Sequence, residues 1–189
     1  MKKITAIFFS LAAAMNLYGQ TLSWDIKFLQ GSGQESVAIS RTIRMDTGEA
    51  FLISITPALD CFCYVILYDS SREIFVLHDR PIRGGATIHL GPFFIEDPPG
   101  TETLYVIIGM ERQTMLEALI QNFSNNGSRQ NANNLYREVV NLQATVSGLG
   151  EPVSSFILSA GTNRGDSPGE YATRFTGKDM YVRAITIRH

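Results

Sequence analysis

The chain has 189 residues and a formal net charge of -2; 44% of its residues are hydrophobic and 18% are charged. That balance excludes an intrinsically disordered chain, which combines few apolar residues with a high net charge. A slightly acidic chain also lacks the basic surface that nucleic acid requires, so we expect no nucleic-acid partner.

Residues 1–19 show the order of features that is typical of a secretory signal peptide. Two lysines precede an apolar run over residues 4–17, and Gly19 provides a small residue for cleavage. The run is too short to span a bilayer, and no later apolar run is long enough for a membrane helix. We therefore predict a secreted or periplasmic protein with no membrane span, cleaved near Gly19, in which residues 20–189 form one domain. The alternative is a hydrophobic first strand.

Apolar runs predict β-strands along most of the mature chain. Residues 22–28 alternate between apolar and polar, as a half-buried strand does, whereas residues 61–68 are apolar on both faces and indicate a central strand. A polar turn joins the latter to another apolar run, so residues 61–77 predict a hairpin. Further strands are predicted at residues 36–43, 50–56, 86–90, 104–108, 156–158 and 181–187.

The apolar period becomes helical within an insertion at about residues 111–147. Thr114 and Glu117 predict a capping box at its start, and a polar linker over residues 122–134 separates two apolar stripes that Gly148 and Gly150 then end. The stripes are Leu116, Leu119, Ile120 and Phe123, then Leu135, Val139, Leu142 and Val146. Short strands with one helical insertion predict a mainly β fold, an antiparallel β-sandwich or partly open barrel with a two-helix insertion.

Four stretches of the mature chain resemble a known family; they are residues 48–51, 60–77, 99–106 and 185–189. In them a Gly-Glu pair opens a strand, aromatic residues cross a hairpin, and a Pro-Gly-x-Glu turn precedes a buried strand. This pattern resembles a small secreted bacterial domain of unknown function that occurs alone or appended to kinase-like and caspase-like proteins. The resemblance implies a β-sandwich-like fold and a binding or accessory role, and it supplies no catalytic residues.

Cysteines and histidines are the candidates for thiol or metal chemistry. Cys61 and Cys63 are two residues apart in a strand, about 6.5–7 Å between Cα atoms, which is at or beyond the disulfide limit. We expect two buried thiols; a bulged disulfide or a Cys-x-Cys site, which would need further ligands, is the alternative. His78, Asp79 and His89 could meet if their strands are neighbours, but surface histidines are the favoured interpretation. We predict no metal, no cofactor and no catalytic residue, since no nucleophile-elbow, zinc-protease or Walker motif is present.

Arg164, Gly165 and Asp166 form an Arg-Gly-Asp tripeptide in a polar loop predicted over residues 161–179. With the Ser-Pro that follows, the tripeptide resembles the integrin-binding loop of fibronectin. An exposed turn can present the carboxylate so that it completes a divalent-metal site on a receptor. Coincidence is the alternative, because all three residue types are common in polar loops.

The sequence therefore favours a secreted, non-catalytic binding or accessory module of the bacterial cell envelope, with a protein partner there. Two alternatives stay open. One is a secreted adhesin that presents the Arg-Gly-Asp loop to host receptors, and the other is a hydrolase whose site no motif reveals.

We predict that the exported protein begins within a few residues of Gln20, because the charge-then-apolar order at the start of the chain directs export and cleavage. N-terminal sequencing of protein recovered from outside the cytoplasm measures this. An intact Met1 on that protein would contradict the prediction.

Overall fold

The structure is a computed structural model that describes residues 21–31, 35–37, 39, 42–147, 153–159 and 170–189. The elements in chain order are β1 (Thr21–Gln30), β2 (Glu35–Val37), β3 (Thr42–Arg44), β4 (Ala50–Pro57), β5 (Cys61–Tyr68), β6 (Ile74–Ile82), β7 (Ile88–Phe94), β8 (Thr101–Gly109), α1 (Thr114–Asn125), α2 (Arg129–Ser147), β9 (Val153–Ser159), β10 (Glu170–Lys178) and β11 (Met180–Arg188). The chain is mainly β with a two-helix insertion, as predicted.

The strands form two sheets. The first, sheet A, has the order β7-β4-β1-β10-β9, with β2 also paired to β1; the second, sheet B, has the order β3-β11-β8-β5-β6. The pairing is antiparallel except between β11 and β3. The predicted hairpin is confirmed as β5 and β6, which pair in antiparallel register from Cys61–Ile82 to Tyr68–Ile74. The two separate sheets of the described strands confirm the predicted sandwich.

The main core lies between the two sheets, and strand alternation fills it. Every second residue of β1 is buried there, as predicted: Leu22, Trp24, Ile26 and Phe28. The ring of Trp24 stacks on Phe175 of β10, with 5.8 Å between centroids, and its centroid lies 5.5 Å from that of Tyr181 of β11. Because Tyr181 belongs to sheet B, this aromatic group ties the two sheets together.

A second core lies between sheet B and the helix pair. Successive residues of β5 point to opposite faces, so Val65 faces sheet A while Tyr64 and Tyr68 face the helices. Tyr64 hydrogen-bonds to α1, and the ring of Tyr68 stacks on Tyr136 of α2 at 4.2 Å. Burial on both faces explains the continuous apolar run of β5. The two apolar helical stripes predicted from the sequence face this core. Their buried residues are Leu116, Ile120, Leu135, Val139 and Val146.

Two local predictions are corrected. The predicted capping box is wrong, because Gln113 occupies the N-cap without a side-chain cap bond and the carboxylate of Glu117 is held elsewhere. The polar linker is shorter than predicted, with α1 ending at Asn125 and α2 beginning at Arg129. The side-chain amide of Asn131 holds this short junction by donating to the carbonyls of Asn122 and Asn126, which also accept the N–H groups of Asn126 and Ser128.

Two strand predictions also change. The weak strand predicted over residues 36–43 is two short strands, β2 and β3, that belong to different sheets. The loop predicted over residues 161–179 is wrong for its second part, which forms β10. The core-facing positions of β10 include Thr173, Phe175 and Gly177, so only one of these positions carries a large apolar side chain and the alternation is weak in the sequence.

No helix in the described part of the chain is both long and apolar enough to cross a membrane. The predicted signal segment, residues 1–19, lies outside the described residues, as do Gly148 and Gly150 after the end of α2.

The close approach of sheet A to sheet B requires a glycine at position 177. A Cβ placed there would lie 1.7 Å from the ring of Tyr181, whose hydroxyl accepts a 2.7 Å hydrogen bond from the N–H of Lys178. The chain then turns from β10 to β11 at Asp179, which has a φ of 59°.

We predict that Gly177→Ala destabilises the fold by about 1–3 kcal/mol, the cost of overpacking a filled core. Gly127→Ala is the matched control, since nothing lies within 4 Å of an added Cβ there and its melting temperature should change little. Equal melting temperatures for the two variants, measured by circular dichroism, would contradict the packing of Tyr181.

Candidate functional site

The free edge of β6 lies in a groove. Among the described strands, β6 is the last of sheet B and pairs with β5 alone. One cavity of about 840 Å³ touches every residue over 71–77. Because consecutive strand residues point to opposite faces, a cavity that touches all of them runs along the edge of the strand and not over one face.

The other wall of this cavity comes from the junction of the two helices. Its lining there is formed by Phe123, Ser124, Gly127, Arg129 and Ala132. We call the cavity between residues 71–77 and this junction the edge groove. A smaller cavity of about 350 Å³ continues along residues 76–80 beside Ser124. The edge of β6 and the helix junction therefore form one trough.

Main-chain groups of β6 face the edge groove. The N–H of Asp69 donates to the carbonyl of Glu73 at 3.0 Å, which starts the hydrogen-bonded ladder between β5 and β6. Bonded and non-bonded pairs alternate along an antiparallel ladder, so Phe75, opposite Leu67, bonds to β5. The N–H and C=O groups of Ile74 and Val76 consequently point away from β5, toward the free edge.

The far end of the same edge is closed to further pairing. The register shifts between Val65 and Ile66, so that Leu77 has no direct partner on β5, as in a β-bulge. Pro81 has no N–H to offer at this edge. The nearby ring of His78 donates its Nε2–H to the carbonyl of Arg80 at 3.0 Å. Burial lowers the pKa of His78, which keeps the ring neutral at physiological pH. The open part of the edge is thus a short window around Ile74 and Val76.

Two arginines are among the residues that line the edge groove. Arg72 sits in the β5–β6 turn, where its N–H donates to the Asp69 carbonyl at 3.1 Å, and Arg129 begins α2. The carboxylate of Asp69 fixes the turn by accepting the N–H of Glu73 at 2.7 Å. Phe75 is 43% exposed nearby. The lining of the groove therefore combines apolar side chains with two arginines and the carboxylate of Glu73.

A buried tyrosine fixes α1, and hence the helical wall, on sheet B. The hydroxyl of Tyr64 donates to Oε1 of Glu117 at 2.7 Å and accepts the N–H of Gln113 at 3.1 Å. Nε of Arg112 donates to Oε2 of the same carboxylate at 3.1 Å. The bond from Arg112, followed by that from Tyr64, lowers the pKa of Glu117. Burial raises the pKa of Tyr64, so its hydroxyl remains a donor. These polar groups hydrogen-bond to one another, which holds α1 in one position on sheet B.

The cysteines lie away from the groove. Cys61 and Cys63 are buried, free thiols on the face of β5 that packs toward sheet A. Burial, with a smaller contribution from Asp60, raises the pKa of Cys61 to about 11, and burial also raises the pKa of Cys63. Protonated, enclosed thiols of this kind are poor nucleophiles and poor metal ligands.

The hypothesis that neighbouring strands bring His78 and His89 together is wrong. His78 lies on β6 of sheet B, whereas His89 lies on β7 of sheet A, because the chain crosses between the sheets after β6 instead of turning back as a hairpin. Within the described ranges, no three His, Cys, Asp or Glu side chains form a group that could hold a metal ion.

Ser54 and His89 make the contact that most resembles a hydrolase pair. The Ser54 hydroxyl lies 2.8 Å from Nδ1 of His89 on the outer face of sheet A. Ser54 stands in register with Lys27 on one side and His89 on the other, so its strand is paired along both edges. The main-chain N–H groups of Ser54 and its strand neighbours therefore hydrogen-bond mainly within the sheet.

Arg164, Gly165 and Asp166 lie outside the described residues, so their loop stays a prediction. Sequence reasoning missed the residues of the edge groove. The alternation of residues 73–77 predicts a strand but does not indicate that this strand is an edge, nor that Phe123 and Arg129 stand beside it.

No protein-family model, curated protein or solved structure matches the chain. Function is therefore inferred from the geometry of this chain.

We predict that both cysteines react slowly with a thiol reagent in the native protein at about pH 8 and rapidly after denaturation, because they are buried and protonated. Adding an exposed thiol through Ser71→Cys provides the control: that thiol should react at once while the other two stay protected. Prompt reaction of Cys61 and Cys63 in the folded protein would contradict their placement in the core.

Proposed function

We propose that the chain is a secreted, non-catalytic binding module of the bacterial cell envelope and that it binds a partner protein in the edge groove. The signal-peptide pattern and the resemblance of the sequence to a secreted bacterial domain support the location. The run of the edge groove along the free edge of β6 is the observation that carries the binding role.

The chemistry of the groove supports binding more than reaction. Its lining offers main-chain donors and acceptors at Ile74 and Val76 and apolar side chains such as Phe75 and Phe123. It also carries the guanidinium groups of Arg72 and Arg129. Exposed strand edges with apolar pockets beside them are a recurring means of recognising protein segments. Catalysis would need a nucleophile and a base that converge in the groove, and its described lining brings no such pair together.

Gly127 allows the groove to be filled without disturbing the fold. It lines the edge groove at the helix junction, and an added Cβ there meets nothing within 4 Å. A tryptophan at this position therefore extends into open space beside β6.

We predict that Gly127→Trp abolishes binding of the purified protein to envelope fractions of its source bacterium, while Gly127→Ala binds as the wild type does. Co-sedimentation measures binding, and the melting temperature shows that both variants are folded. Unchanged co-sedimentation of Gly127→Trp would remove the edge groove as the site. Failure of the wild type to co-sediment would contradict the envelope function itself.

A further inference from the structure

We propose that the occupant of the edge groove is an extended segment of a partner protein that pairs with β6 as an added antiparallel strand and places a carboxylate between Arg72 and Arg129. This inference rests on the proposed function and names the chemistry of the ligand.

An extended segment fits the open part of the edge better than a helix does. Ile74 and Val76 present N–H and C=O groups to the groove, and only a strand has main-chain groups free to pair with them. The bulge at Leu77 and the missing N–H of Pro81 end the pairing on one side. The edge is therefore blunted except where the helix junction walls it, which limits pairing to one short segment.

The two arginines that line the groove favour an anionic ligand. Among the described residues, neither Arg72 nor Arg129 forms an ion pair, and both line the same cavity. The carboxylate of Glu73 also lines it, so two cations face one anion. A guanidinium binds a carboxylate through two parallel hydrogen bonds, and a second guanidinium nearby strengthens the attraction.

The position of the arginines sets the order of residues in the ligand. Arg72 precedes β6, so an antiparallel partner reaches it at its own carboxyl-terminal side. Upstream residues of the partner then lie beside Ile74 and Val76, with apolar side chains against Phe75 on one face and Phe123 on the other. The expected ligand is a short alternating apolar segment followed by aspartate or glutamate.

A second copy of this chain is the competing occupant of an exposed edge. The helix junction walls the open part of the edge, whereas edge-to-edge pairing of two sandwiches needs a long, flat, uncovered edge strand. We therefore expect the protein to remain monomeric in light scattering at concentrations where it binds peptide. A dimer that Gly127→Trp converts to monomer would overturn the inference in favour of self-pairing.

The test selects short random peptides displayed on phage against the purified protein. We expect enrichment of alternating apolar residues followed by an acidic residue, and loss of binding by the selected peptide to Gly127→Trp. N-methylation of the peptide's edge-facing amides should abolish binding. No enrichment over the Gly127→Trp protein, or equal binding of the N-methylated peptide, would overturn strand addition.

A double-mutant cycle tests the contact between the ligand's carboxylate and the two arginines. Replacing the ligand's acid by its amide should weaken binding to the wild type about fivefold, the usual scale of an exposed ion pair. On a double variant, Arg72→Asn with Arg129→Gln, the same replacement should have no effect. Asparagine suits Arg72 because it tolerates the φ of 67° found there. An equal effect on both proteins would overturn the carboxylate.

The two experiments test the proposed ligand and the proposed envelope function independently. If Gly127→Trp still blocks envelope binding but no peptide is selected, the binding module stands and the extended acidic ligand does not. If envelope binding is absent while peptides bind as expected, the envelope function fails and the peptide site stands.

Discussion

The structure depends on the need to cover sheet B on both faces. Its central strands are apolar all round: Val65 of β5 and Val106 of β8 face sheet A, and Ile66 and Ile107 face the helices, all four of them buried. Apolar area removed from water stabilises a fold by about 25 cal/mol per Å², so an uncovered outer face would be costly. By contrast, the outer face of sheet A carries polar pairs such as Asp25 with Arg174 and needs no cover. The helix insertion between β8 and β9 meets this requirement.

The same requirement places the edge groove. The helix pair covers the centre of sheet B, with α2 against β11 and α1 fixed to Tyr64, and its two helices join next to β6. Asn131 closes that junction tightly by donating to the two carbonyls at the end of α1. The junction stands beside the edge strand without pairing to it. A trough with main-chain groups on one wall and apolar side chains on the other follows from covering the sheet with helices.

Features encoded by neighbouring residues could be predicted from the sequence. The alternation of residues 22–28 fixed the inner face of β1, the apolar run of residues 61–68 marked a central strand, and the spacing of Leu135 and Val139 marked the buried side of α2. Strand order could not be predicted, because it arises from pairings such as β11 with β8 that no local pattern encodes. β10 was missed because Thr173 and Gly177 fill its core-facing positions in place of large apolar residues. The groove could not be foreseen for the same reason, since Phe75 and Phe123 meet only through the tertiary fold.

The central claim is that the edge of β6 is free at Ile74 and Val76 while the strand itself is fixed in sheet B. Amide hydrogen exchange of the free protein, resolved by residue, tests it most directly, because an amide exchanges slowly only where a stable hydrogen bond protects it. We expect fast exchange at Ile74 and Val76 and slow exchange at Phe75 between them. Protection of Ile74 and Val76 equal to that of Val106 in the centre of the sheet would show that the edge is already paired, and would contradict the account.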